Sequence, residues 1–196
     1  MTRHRGRRFT PHTASSAAAA SAPNSTGDER NWLRAGVLGA NDGIVSTGAL
    51  VVGVAAVDTT RTSAILAAAI AGLLAGAASM ALGEYVSVST ERDLTSREPG
   101  HAAGSDPNPW HAAGASALSF TVGALLPTLA VALAPSPGLR IPVTVVAVLL
   151  ALVITGFVSA TLAHAPRAAS IRRVVIGGAL ALAVTWAAGL LFGVTA

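Results

Sequence analysis

Long apolar segments alternate with short polar connections along most of the chain. The apolar segments cover residues 36–57, 64–90, 111–134, 141–163 and 174–194. Each is long enough to cross the hydrocarbon layer of a bilayer as a helix, which takes about 20 mostly apolar residues. The pattern therefore predicts an all-α integral membrane protein, in which residues 31–196 form one domain of five transmembrane helices.

Residues 1–30 have a different character. They combine arginines with Ser, Ala, Pro and Thr and show no apolar period. A segment of this composition cannot bury enough apolar surface to fold, so we predict a disordered, Arg-rich tail. Because it also lacks the apolar core of a secretory signal, we expect the tail to stay in the cytoplasm.

The positions of the basic residues predict how the chain is oriented in the membrane. All 13 are arginines. If the chain crosses five times, eleven of them lie on the side of the N-terminus, and only Arg61 and Arg140 lie on the other. Since cytoplasmic connections are enriched in basic residues, the N-terminus is predicted to be cytoplasmic and the C-terminus outside. This distribution accounts for the net charge of +4 without a nucleic-acid partner.

Two acidic residues lie inside apolar segments. Asp42 is in the first segment and Glu84 in the second, where Met80 precedes Glu84 by one turn on the same helical face. A carboxylate inside a membrane helix is costly unless it faces protein, water or a cation. Carboxylates suit hard or borderline divalent cations, and a thioether shifts the preference toward a late first-row ion. We therefore predict a metal site formed by Asp42, Met80 and Glu84.

Each of these residues also has a simpler interpretation. Asp42 could bond to backbone at a break in the first span, next to Gly43. Glu84 could be solvated near the cytoplasmic interface, and Met80 taken alone would more often be a packing residue. Their combination in neighbouring spans favours the metal site over three unrelated structural roles.

The first two spans are predicted to pack against each other, because only a six-residue turn joins them. Counting along the helices from their cytoplasmic ends places Asp42 about 12 Å deep, between Glu84 at about 9 Å and Met80 at about 15 Å. Glycine pairs with GxxxG spacing favour close approach of two membrane helices. We expect such a contact between Gly39 and Gly43 on the first span and Gly72 and Gly76 on the second.

Three stretches of this sequence resemble a known family. They are LGANDGIVSTGALVVGVAA, AGLLAGAASMALGEYVSVSTERD and ASALSFTVGALLPTLA, and they are similar to the vacuolar iron transporter family of yeast, plants and bacteria. The resemblance covers residues 33–134 well and the last two spans loosely. The chain looks like a bacterial-type member.

The resemblance implies a five-span, dimeric transporter that moves ferrous iron or manganese out of the cytosol in exchange for protons. The aspartate and the methionine that line the ion path of the family correspond to Asp42 and Met80, and the glutamate of the second motif corresponds to Glu84. The expected partners are membrane lipid, the transported divalent ion and a second copy of the chain, with no permanently bound cofactor. We expect this transporter to reside in the cell (plasma) membrane.

The connection between the second and third spans departs from the family pattern. Members typically carry a long, glutamate-rich cytoplasmic insertion there, which gathers metal. Here that connection has only about 20 residues and no Met, so it cannot form such a domain. A non-transporting membrane scaffold or accessory protein is therefore an alternative hypothesis, and a proton-coupled exporter of a small organic cation is a weaker one. An enzyme is not expected, because the sequence contains no phosphate-binding loop, nucleophile elbow or zincin motif.

Overall fold

The protein is a bundle of five α-helices. In the computed structural model, which describes residues 25–97 and 107–195, these are α1 (Ser25–Val57), α2 (Thr62–Thr95), α3 (Pro109–Ala132), α4 (Arg140–Leu162) and α5 (Arg167–Thr195). A single 3-10 turn, Pro137–Leu139, precedes α4. All five helices are long and apolar enough to span a membrane, and no strand occurs in the described ranges. The predicted fold class is confirmed.

Three helix ends lie five or more residues outside the predicted spans. Helix α1 begins at Ser25, so residues 25–30 of the predicted tail are helical, whereas residues 1–24 lie outside the described residues. Helix α2 continues to Thr95 and α5 begins at Arg167. With 34 residues, α2 is about 50 Å long, well beyond a hydrocarbon layer of about 30 Å. Hydropathy marks the part of a helix that is in hydrocarbon, and backbone hydrogen bonds extend the helix into the polar region.

Helix α1 is the centre of the bundle. It contacts each of the other four helices, whereas α2 contacts only α1 and α3 among the described elements. One buried apolar cluster, which includes Ile44 and Leu152, joins α1 to α4 and α5. A second cluster, which includes Val51 and Ile65, joins α1 to α2 and α3. Helix α1 therefore separates two small cores and determines how both halves of the bundle are placed.

Gly39 and Gly43 of α1 pack against α3, not against α2 as predicted. A Cβ atom at position 39 would lie 2.5 Å from the carbonyl oxygen of Ser116. At position 43 it would lie 2.9 Å from the backbone nitrogen of Ala124 and closer still to the carbonyl oxygen of Phe120. The two backbones touch because Gly39 and Gly43 have no side chain. The predicted partner helix was wrong, because GxxxG spacing indicates a close approach without specifying which neighbour makes it.

The glycines of α2 meet side chains instead of another glycine pair. Gly72 faces the side chain of Leu50 on α1, and Gly76 faces the ring of Phe120 on α3. The Leu50 and Phe120 side chains thus separate the backbone of α2 from the backbones of α1 and α3. This spacing leaves room for a cleft between α1 and α2.

The turn between α1 and α2 is fixed by hydrogen bonds. The Arg140 guanidinium at the start of α4 donates to the carbonyl oxygen of Thr59 and, at 2.7 Å, to the hydroxyl of Thr62. Within the turn, the Thr60 hydroxyl and backbone N–H donate to the Asp58 carboxylate at 2.6 and 2.8 Å, and these bonds lower the pKa of Asp58. The α1–α2 and α3–α4 turns therefore lie at the same end of the bundle, as a five-span topology requires.

The close contact between α1 and α3 predicts an unequal effect of one substitution at two glycines. Gly43→Ala should lower the free energy of unfolding by about 1–3 kcal/mol, because the added methyl group overpacks the contact with the α3 backbone. Gly83→Ala is the matched control, since a Cβ at position 83 meets no atom within 4 Å, and we expect it to be neutral or slightly stabilising. Unfolding of each variant in mixed micelles of mild detergent and dodecyl sulfate measures both effects. Equal stability of the two variants would contradict the packing described above.

Candidate functional site

Asp42 lies on a stripe of α1 that the other helices cover only in part. Residues at four-residue spacing along this stripe are Leu38, Asp42, Ser46 and Leu50. Leu38 and Leu50 are 49% and 38% exposed, and Asp42 is half-buried. The opposite faces of α1 are buried against α3, α4 and α5. The chain therefore covers Asp42 only in part at membrane depth, which is an expensive position if hydrocarbon covers the rest of the side chain.

A cleft of about 200 Å³ between α1 and α2 contains Asp42. We call it the Asp42 cleft. The side chains that could bind a cation are Asp42, Ser46 and Thr47 on α1 and Ser79 and Met80 on α2. The ring of Phe120 on α3 forms the apolar floor. Gly72 and Gly76 also line it, so their lack of side chains keeps the cleft open. The structure thus places Asp42 and Met80, two of the three predicted ligands, in one site.

The hydroxyl groups of the cleft were not among the predicted site residues. Thr47 is only 1% exposed, and its hydroxyl has no hydrogen-bond partner in the described part of the chain. Leaving a buried hydroxyl unpaired costs about 1–3 kcal/mol, so Thr47 offers the cleft an unused polar atom. Ser46 instead donates to the backbone oxygen of Asp42 at 2.6 Å. Serines and threonines in helices commonly bond their own backbone, which is why sequence alone did not distinguish these two roles.

Glu84 does not line the Asp42 cleft. Its carboxylate accepts a hydrogen bond from the Arg34 guanidinium at 3.4 Å, and the Glu84 side chain is 8% exposed. Arg34 precedes Asp42 by two turns on α1, so Glu84 lies toward the N-terminal end of that helix. The structure therefore brings Asp42 and Met80 together but does not add Glu84 to them, although the sequence had predicted all three together. The physical reason is that a buried carboxylate pairs with a cation within reach. Counting residues along the spans gives the position of the Arg34 backbone at the end of a helix, but not how far its side chain reaches toward Glu84.

The Asp42 cleft of one chain has too few ligands to enclose a divalent ion. Among the described residues, no three His, Cys, Asp or Glu side chains lie together in a way that could hold a metal. The cleft supplies one carboxylate, one thioether and hydroxyl oxygens, whereas divalent cations commonly take four to about six ligands. Such an open, one-sided set suits a passing ion or a site completed by other groups.

Comparison with known proteins gives consistent results along nearly the whole chain. The model of the VIT family matches residues 33–102 and 96–190. "Vacuolar iron transporter homolog 1" of Arabidopsis thaliana is 48% identical over 168 residues, which cover 83% of this chain and 84% of that protein. "Vacuolar iron transporter homolog 5" of Oryza sativa subsp. japonica is 44% identical over 183 residues, with 87% and 88% covered. Since both chains are covered to a similar extent, these relatives are close to this chain in length.

The Asp42 cleft is expected to contain water, because Asp42 and the unpaired Thr47 hydroxyl require solvation or another polar partner. The chain has no cysteine, so single-cysteine variants can probe this without background. We expect Ser46→Cys and Met80→Cys to react with a cationic, membrane-impermeant thiosulfonate at least about 10-fold faster than Leu74→Cys, because only a hydrated thiol ionises readily. Leu74 is 63% exposed on the apolar surface of α2 and serves as the lipid-facing control. Equal rates at all three positions would show that the cleft is dry.

Proposed function

The chain belongs to the VIT family, and from this premise we propose that it carries divalent iron, manganese or both across a membrane. Members of the family are transporters and not enzymes, in agreement with the prediction from sequence. The observation that carries the proposal is the meeting of Asp42 and Met80 in one open cleft inside the membrane-spanning region.

The chemistry of the Asp42 cleft supports iron and manganese over the alkaline-earth ions. A carboxylate and hydroxyl oxygens bind Mg²⁺, Ca²⁺ and Mn²⁺, whereas a thioether adds affinity for softer ions. A mixed set of oxygen and sulfur donors therefore favours Fe²⁺ and Mn²⁺ over Ca²⁺. Relatives of similar length are named vacuolar iron transporter homologues, which supports iron as a cargo and weakens the scaffold hypothesis, since a short chain is common to them.

We propose export from the cytosol by exchange for protons. The excess of arginines at one end of the bundle supports a cytoplasmic N-terminus. A carboxylate binds either a metal ion or a proton, so the same Asp42 side chain couples the two by competition. The plasma membrane of the cell is our proposed location for this chain, although the relatives above are named for the vacuole.

We further propose that two copies of the chain form the transporter as a homodimer. Helix α2 is the least covered of the five helices, because only 11% of the residues in its most apolar stretch are buried. In a single chain, the stripe with Asp42 would face lipid, and an acid there costs about 2.5–3.5 kcal/mol or more. A twofold axis beside α1 and α2 would cover this stripe with its own copy. It would also place two carboxylates and two thioethers around one path, which completes the ligand set.

Uptake into proteoliposomes tests the proposed transport. With a pH gradient imposed, we expect the wild type to carry Fe²⁺ or Mn²⁺ in preference to Ca²⁺. Asp42→Asn should lower the transport rate by about 100-fold or more. Removing a group that only orients a metal ligand typically costs about 10- to 100-fold, and loss of the ligand itself should cost at least as much. Met80→Leu, which preserves volume, should lower the rate less and weaken the preference over Ca²⁺. Asp58→Asn is the matched control, because this acid lies in the exposed α1–α2 turn.

Two results would contradict the transport proposal. One is the absence of uptake by folded, correctly inserted wild type, which would favour the scaffold. The other is uptake that Asp42→Asn and Asp58→Asn reduce equally, since that would remove Asp42 from the path.

Cross-linking tests the proposed dimer. Residues close to a twofold axis can be linked to their own copies. Ser79, which is exposed on α2 and lines the cleft, should therefore link two chains as Ser79→Cys with a short bifunctional maleimide. Val184→Cys is the control, because Val184 is 67% exposed on α5, away from α2. Efficient linking through Val184 but not through Ser79 would place the interface elsewhere, and a monomeric mass in micelles would argue against any dimer.

A further inference from the structure

The ion pair between Arg34 and Glu84 has no role in the transport proposed so far. It connects α1 to α2 beside the Asp42 cleft and toward the N-terminal end of α1. The two partners differ sharply in burial: the Glu84 side chain is 8% exposed and the Arg34 side chain is 58% exposed. The carboxylate is thus fixed within the protein, whereas the guanidinium reaches it from the surface.

The ion pair between Arg34 and Glu84 has a geometry that is easily broken. A single guanidinium nitrogen of Arg34 meets a single Glu84 oxygen at 3.4 Å, longer than the charge-assisted bonds of a bidentate pair. Arg34 is also the only donor to the Glu84 carboxylate among the described residues. An exposed arginine loses little by leaving such a contact, since water solvates it. The buried carboxylate loses much, so another cation must replace the arginine when it leaves.

The structure provides space into which Arg34 can move. A groove of about 440 Å³ lies on the other side of Arg34, between α1, α4 and α5. We call it the α1–α4 groove. Asn41 on α1 and Ser159 on α4 also line it. The side-chain carbonyl oxygen of Asn41 is buried and has no hydrogen-bond partner among the described residues. Arg34 therefore stands between a carboxylate that it neutralises and an open groove that contains the unpaired Asn41 oxygen.

We propose that Arg34 is a tethered competitor of the transported cation. Its guanidinium occupies Glu84 while no ion is bound, and an arriving divalent cation takes its place as Arg34 moves toward the α1–α4 groove. Glu84 then serves as an entry ligand, one turn from Met80 on α2. This inference rests on the proposed function and adds a basis for selectivity. A monovalent cation has no more charge than the guanidinium that it must displace, whereas a divalent ion has twice as much.

Equilibrium binding of Mn²⁺ to the purified full-length protein tests the competition. Arg34→Gln removes the charge but keeps a hydrogen-bond donor for Glu84. We expect it to tighten Mn²⁺ binding by about 3- to 10-fold, the release expected from a weak, partly exposed ion pair. Potassium at high concentration should also displace Mn²⁺ more effectively from this variant than from the wild type. Arg173→Gln on α5, which removes the same charge from an exposed position at the same end of the bundle, should leave the affinity within about twofold of the wild type.

A double-mutant cycle separates competition at Glu84 from a general effect of positive charge. In the Glu84→Gln background, Arg34→Gln should no longer change Mn²⁺ affinity, because the carboxylate for which the arginine competes is absent. An equal gain in both backgrounds would overturn the proposal, since it would mean that Arg34 acts on the whole site through space. If Arg34→Gln does not fold, Arg34→Lys in the same two backgrounds replaces it, with a smaller gain expected that again depends on Glu84.

The outcomes also separate this inference from the proposed function. If the wild type binds no Mn²⁺, both fail. If the wild type binds Mn²⁺ through Asp42 but Arg34→Gln leaves its affinity unchanged, transport stands and the competitor role is refuted.

Discussion

The cost of a carboxylate inside the membrane is the constraint on which this structure depends. Asp42 is the acid that the bundle leaves half-exposed at membrane depth, and hydrocarbon cannot solvate it. The surroundings of Asp42 are consistent with this constraint. Glycines keep a cleft open beside it, a buried threonine leaves its hydroxyl unpaired there, and Met80 adds a polarisable sulfur. A purely structural bundle would have no reason to maintain this arrangement.

Helix α1 meets two packing requirements on different faces. Its small residues allow α3 to approach backbone to backbone, while its larger apolar residues fill two separate cores. These contacts fix the rotation of α1 about its axis and so leave the Asp42 stripe facing α2 and the outside. The position of the acid is thus a consequence of packing elsewhere on the same helix. Packing of this kind also accounts for an organised site in a chain whose α2–α3 connection is short.

The spans were predictable from sequence, because apolar runs of membrane length rarely occur in soluble proteins. Contacts that depend on side-chain reach and helix rotation were predicted less well. The GxxxG spacing of Gly39 and Gly43 indicated a close helix contact, but that contact is with α3, since the rotation of a helix depends on all of its neighbours at once. Glu84 pairs with Arg34 because a long arginine side chain spans the depth between them. Asp42 and Met80 line one cleft, because α1 and α2 form a hairpin and small residues surround the space between them.

Anomalous scattering from a crystal grown with Mn²⁺ would test the central claim most directly. We predict a manganese peak in the Asp42 cleft, with an Asp42 carboxylate oxygen about 2.2 Å away, as expected for an oxygen ligand of a divalent first-row ion, and the Met80 sulfur facing the peak. The same peak should be absent from Asp42→Asn crystals grown under identical conditions. Manganese found only at the polar ends of the helices, with the Asp42 cleft empty in the wild type, would contradict the assignment of this cleft as the ion path.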